Sequence, residues 1–213
     1  MAAPSFERAV SHVLKSEGGL SDHKADPGGA TNRGITRATL GRWRGRPATR
    51  DEVMALTEVE AKQIYRKFYW DRVKGDDLPA GVDLAVFDFG VNSGNERAAK
   101  YLQALVGVPA DGIIGPATIK AVNKLEPAFV VRELMRRRLD YLAKLSTWPV
   151  FGKGWRRRVL SVETEALDMI GNPMAAIPPP PDIPAPEPSA EPASSGLFVA
   201  LAAVIVRIFR KEA

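Results

Sequence analysis

A mainly α-helical fold is what this sequence predicts, on three observations. Apolar residues recur at three-to-four spacing in one segment after another, helix-capping pairs punctuate those segments, and strand-like alternation is confined to a glycine-rich stretch between Leu20 and Thr36. Hydrophobic residues make up 45% and charged residues 26% of the 213, enough apolar content to bury a core.

The first helix is expected after Ser5, a candidate N-cap, with Phe6, Ala9, Val10, Val13, Leu14 and Glu17 on one face. Gly18 and Gly19 end it. A small hairpin follows, and Thr36 is placed to cap a helix through Leu40 and Trp43. Thr49 with Glu52, and Thr57 with Glu60, have the spacing of capping boxes; the second opens a helix through Ile64, Tyr65, Phe68 and Tyr69. Pro79 starts the helix carrying Val82, Ala85, Val86 and Phe89, and Asn95 is expected to cap the next, with Ala98, Tyr101, Leu102 and Leu105. Two longer helices are predicted, roughly Glu126 to Leu145 and Gly154 to Ile170.

Composition changes at Asn172. From there to Ser195 nine prolines alternate with Ala, Glu and Ser, a segment that reads as an extended linker reaching about 70 Å. Beyond it, Leu197 to Val206 is an unbroken apolar run followed by Arg207, Arg210 and Lys211. The run is short for a spanning helix, so the segment 196–213 reads as a membrane anchor or as a tail that docks on protein. The organisation expected is a first region 1–94, a helical region 95–171 packed on it, the linker 172–195 and the segment 196–213.

With no cysteine, thiolate catalysis and disulfides are excluded. His12 and His23, eleven residues apart, do not suit a zinc site, and no metal or cofactor is expected. The formal charge of +5 favours anionic partners without choosing among them. Arg136-Arg137-Arg138, Arg156-Arg157-Arg158 and the arginines at 42, 44 and 46 read first as solvated helix faces. Met1 to Leu14 lacks the basic start and apolar run of a secretory signal, so synthesis in the cytoplasm without a signal peptide is expected.

The chemistry concentrates between residues 16 and 36. Glu17 follows Val13 and Leu14 on the apolar side of the first helix, at the negative end of the helix dipole. Desolvation and the dipole both favour a protonated carboxyl, which is what a glycosidase needs in order to protonate a leaving sugar oxygen. Asp26 sits in a Pro-Gly-Gly turn, exposed enough to stay ionised and to hold water or stabilise positive charge. The plain alternatives are a last-turn glutamate before a glycine cap and an aspartate that starts a turn. Thr31, Asn32 and Thr36 either position water and sugar hydroxyls or brace the hairpin. Asn92 and Ser93, at the end of a helix closed by Gly94, could bond acetamido groups. Trp70 and Tyr69 either stack on sugar or belong to the core.

Glu17-Gly18-Gly19, Asp26-Pro27-Gly28-Gly29, Thr31-Asn32, Gly34-Ile35-Thr36, Phe68-Tyr69-Trp70 and Asp88-Phe89-Gly90-Val91-Asn92-Ser93-Gly94 together make the run Phe6 to Gly94 resemble the glycoside hydrolase family 108 lysozymes, which include phage endolysins and proteins once called secretion activators. Residues from Ala98 to about Ile170 are similar to the peptidoglycan-binding region that follows in that family, with Asp111-Gly112-Ile113-Ile114-Gly115-Pro116-Ala117-Thr118 as marker. The nine-residue interval between Glu17 and Asp26 also resembles the phage lysozymes. Where many relatives carry an aromatic near the paired glycines or within the Thr-Asn-x-Gly stretch, this chain has Leu20 and Arg33.

The resemblance implies a lysozyme-like helical body with a small hairpin that hydrolyses the β-1,4 bond between N-acetylmuramic acid and N-acetylglucosamine. Glu17 matches the catalytic glutamate, and Asp26 and Thr31 are expected to assist it; Asn32, Thr36, Trp70, Asn92 and Ser93 are expected to bind substrate. Peptidoglycan strands are the expected partner, nucleic acid is not, and a monomer acting at the wall or periplasm, tethered by 196–213, is expected. A non-catalytic basic helical module binding wall polymer or nucleic acid is the alternative.

Overall fold

In the computed structural model, residues 3–20 and 30–171 are described. Asp26, His23, the Pro-rich stretch 172–195 and the apolar segment 196–213 lie outside the described residues. The fold is mainly α, as the periodicity predicts. Helices α1 (Ala3–Glu17), α2 (Arg37–Arg44), α3 (Arg50–Met54), α4 (Glu58–Tyr65), α5 (Val82–Ser93), α6 (Asn95–Val106), α7 (Pro116–Val122), α8 (Pro127–Ala143) and α9 (Trp148–Met169) follow in order, with the short strands β1 (Thr31–Asn32) and β2 (Ile35–Thr36) after α1.

Helix α5 is the axis of the molecule. All of its residues from Val82 to Ser93 are buried, because α1, α6, α8 and α9 pack around it. A helix buried on every side needs such a sheath, and its aspartates need partners within it. One hydrophobic core therefore runs from Phe6 to Leu167, continuous across position 94, where Gly94 joins α5 directly to α6.

The strands form an antiparallel hairpin with Thr31 opposite Thr36 and Asn32 opposite Ile35. Its two-residue turn has positive φ at both Arg33 (51°) and Gly34 (76°), the twist that matches a hairpin. Thr36 caps α2 through the Thr39 N–H (3.2 Å), and Thr49 with Glu52 forms a complete capping box on α3. Thr57 caps α4 through the Glu60 N–H, but the return half of that box is not formed: the Glu60 carboxylate turns to the Arg44 guanidinium at 2.9 Å. A charge-assisted pair outcompetes a backbone N–H that water can satisfy.

Two expected caps are replaced by cross-links. Helix α1 begins before Ser5, whose hydroxyl donates to the buried Asp83 carboxylate of α5 instead. Asn95 is the first residue of α6, capped by Gly94, and its amide donates to the Phe68 carbonyl at 2.8 Å. Helix α9 starts earlier than its periodicity suggests, at Trp148, with Pro149 in its first turn. The Asp111–Thr118 marker is a structural knot: the buried Gln103 amide donates to Asp111 Oδ1 (2.7 Å) and the Ile113 carbonyl (3.0 Å), and accepts from the Gly112 N–H.

Candidate active site

Glu17 ends the buried stripe of α1. Phe6, Val10 and Val13 precede it on that face, and it is only 2% exposed. Gly18 takes a positive φ (76°) and turns the chain away, so the carboxyl stays under the elements packed above it.

Three elements meet at that carboxyl. The hairpin turn lies so close that a Cβ on Gly34 would stand 2.3 Å from the Tyr65 hydroxyl and 2.8 Å from Glu17 Oε2, a gap only glycine leaves. Tyr65, at the end of α4, donates to the Arg33 carbonyl at 2.9 Å and pins the turn. After α4 the chain makes a π-helical turn, Arg66–Trp70, whose extra residue lets Tyr65 and Tyr69 stack with ring centroids 5.5 Å apart while Trp70 swings into the core. Burial first, and then the nearby Glu17 charge, raise the pKa of both phenols, so both remain neutral donors.

From the opposite side comes Arg158 of α9. Its Nη1 lies 2.7 Å from Glu17 Oε1, while Nε and Nη2 grip the Asp88 carboxylate at 3.0 and 2.8 Å. The contact with Glu17 is a close ion pair, not an aligned hydrogen bond: Oε1 accepts none of good geometry. Asp88 also takes Arg138 Nη1 of α8 at 2.7 Å, both side chains being fully buried. Burial alone would push the Asp88 carboxyl up, yet the two guanidiniums overrule it and hold it at about 2. Burial likewise disfavours the charge on Arg158, and Asp88 and Glu17 more than offset this. Two acidic side chains and two guanidiniums thus form one connected buried network.

The residues expected at the site have different fates. Trp70 is not available to a sugar: it is 0% exposed, edge-on to Phe6 (5.3 Å) and Phe87 (5.4 Å), with Nε1 donating to Asp76 at 2.8 Å. The core reading of this aromatic prevails, and Tyr69, half-buried, keeps an open edge. Asn32 does not offer its amide to substrate, since Nδ2 donates to the Val53 and Met54 carbonyls, both at 3.1 Å, and braces the hairpin on α3. Thr36 uses its hydroxyl as the α2 cap. Thr31 is buried in β1. Asn92 and Ser93 sit in the last turn of α5, nearly buried, with the Ser93 hydroxyl donating to Asn92 Oδ1 at 3.1 Å.

Sequence reasoning missed Arg158, Arg138, Asp88, Tyr65 and Gly34 as a group around Glu17. Periodicity carried a signal for the arginines. Arg138 falls in step with Val131, Leu134, Met135 and Leu142, and Arg158 with Trp155, Val159 and Val162, so the third member of each triplet lies on the apolar face. The other members behave as surface residues: Arg136 and Arg137 both pair with Glu133 at 2.8 Å.

Residues 10–94 match the family model described as "Glycosyl hydrolase 108", and residues 97–160 match one described as "Predicted Peptidoglycan domain". Among solved structures the chain is similar to "Structure of Brucella abortus SagA", with 49% identity, a TM-score of 0.73 and coverage of 83% of this chain and 100% of that one. No curated protein matches.

Proposed function

Since the chain belongs to the glycosyl hydrolase 108 family and is a lysozyme-like glycoside hydrolase directed at peptidoglycan, we propose that it is an N-acetylmuramidase with Glu17 as its general acid. It cleaves the β-1,4 bond between N-acetylmuramic acid and N-acetylglucosamine. The observation that carries this reading is the setting of Glu17: a carboxyl only 2% exposed at the end of a helix, held under the hairpin turn.

In the reaction the Glu17 proton goes to the glycosidic oxygen as its bond to the muramic C1 breaks, and water adds to that carbon and gives up a proton to a carboxylate of the site, so that Glu17 ends the cycle protonated again. Asp26, assisted by Thr31, orients the water or stabilises the oxocarbenium-like centre. Tyr69 borders the sugar with the edge it leaves open. The enzyme works at the wall, in host lysis or in local wall opening, with the Pro-rich stretch and the apolar segment 196–213 holding it at a membrane.

The test is digestion of purified peptidoglycan, borohydride reduction and mass analysis of the products. Muramitol ends are expected; glucosaminitol ends would overturn the bond assignment. Glu17→Gln should lower turnover about 10³-fold, a typical general-acid contribution, and still sediment with the wall. An unchanged rate in that variant would remove Glu17 from the chemistry.

A further inference from the structure

We infer that Arg158, together with the Asp88 that grips it, is a positioning residue for Glu17, so that the region matched as a peptidoglycan domain supplies part of the catalytic centre. The inference rests on the reading of Glu17 as the acid and adds what fixes that acid in place.

A glutamate side chain has three rotatable bonds and a broad, two-fold terminal torsion, so burial alone does not choose which oxygen faces a substrate. Arg158 makes that choice. The guanidinium is planar, and the Asp88 carboxylate occupies its Nε and Nη2 edge at 3.0 and 2.8 Å, which fixes the plane and aims Nη1 at Glu17 Oε1, 2.7 Å away. Oε2 is left on the hairpin side, beside Gly34 and the Tyr65 hydroxyl. Arg138 holds the far side of Asp88 and stops it from following Arg158 should the latter shift. Glu17 lies in α1 and Asp88 in α5, within residues 10–94, whereas Arg138 and Arg158 come from α8 and α9, within 97–160. Arg158 meets Oε1, so the proposed proton transfer is made from Oε2, on the hairpin side.

The test compares Glu17→Gln, Arg158→Met and Arg158→Lys in the full chain on a soluble glycan oligomer, with far-UV circular dichroism and a melt for each. Methionine keeps the length and loses the fork; lysine keeps a charge that reaches one carboxylate at a time. Positioning predicts that Arg158→Met lowers kcat about 10²-fold with KM within about twofold, and that Arg158→Lys recovers part of the loss. An inactive Glu17→Gln beside a folded Arg158→Met of wild-type kcat overturns positioning alone. A rise in KM at constant kcat overturns it too, and makes Arg158 a glycan contact. Failure of both Arg158 variants to fold overturns it in favour of a purely structural role. A Glu17→Gln variant of wild-type rate removes the acid assignment and this inference with it.

Discussion

At the scale of single residues, Asp83 shows what partial satisfaction does to a buried carboxyl. It is 2% exposed and holds the Ser5 hydroxyl and the Leu84 N–H (2.7 Å). Burial pushes its carboxyl up to about 6 against the opposing pull of those donors, and the nearby Asp76 charge adds to the rise. The folded protein therefore binds this proton more tightly than the unfolded chain. The stabilisation is complete below about pH 4 and is lost as pH rises through about 6, a change on the order of 3 kcal/mol. Asp83→Asn should flatten that decline, as read from urea midpoints at acidic and neutral pH; equal slopes in both proteins would refute it. The burial of Glu17 at the end of α1 was legible in sequence because its helix face and its glycines are contiguous. Its guanidinium neighbour was not, since nothing in residues 5–36 announces a side chain from position 158.

At the scale of elements, the arginine triplets of α8 and α9 show how a charge run divides. Arg136 and Arg137 stand on the outer face with Glu133, and Arg136 also reaches Asp140 at 2.7 Å; Arg138 is 0% exposed and balances Asp88. Exposed pairs contribute little and a broken buried pair costs much. Arg136→Ala is expected to change stability by less than about 0.5 kcal/mol, and Arg138→Ala to cost about 3–5 kcal/mol, measured by chemical denaturation. Similar losses for the two would show that the run acts as one surface. The helices were legible through their spacing and caps. The π-helical turn at Arg66–Trp70 was not, because a one-residue register change leaves no mark in composition, and it alone decides that Tyr69 and not Trp70 keeps an exposed edge.

At the scale of the whole molecule, α5 ties every large helix to one core, and Arg8 of α1 adds a surface bridge to Glu165 of α9 at 2.6 Å. Among the described residues no helix is long and apolar enough to cross a membrane. The membrane tether proposed for 196–213 is expected to be separable from catalysis. A chain ending at Gly171 should leave the membrane fraction and keep its rate on purified wall, with unchanged fractionation as the contrary result. The mainly α architecture was readable throughout the described residues. Which side chains of the second half meet the first was not, because the largely apolar α5 shows only that it is covered and not by what.

That meeting of the two halves bears on engineering. Wall hydrolases invite the exchange of a cutting half from one parent with a recognition half from another, and position 94 looks like the natural seam. Here a graft at that seam would deliver a foreign α8 and α9 against Asp88 and Glu17, leaving two carboxylates facing whatever side chains the donor brings. Recombinants of this enzyme should be joined beyond Gly171, or should carry the arginines at 138 and 158 along with the new surface.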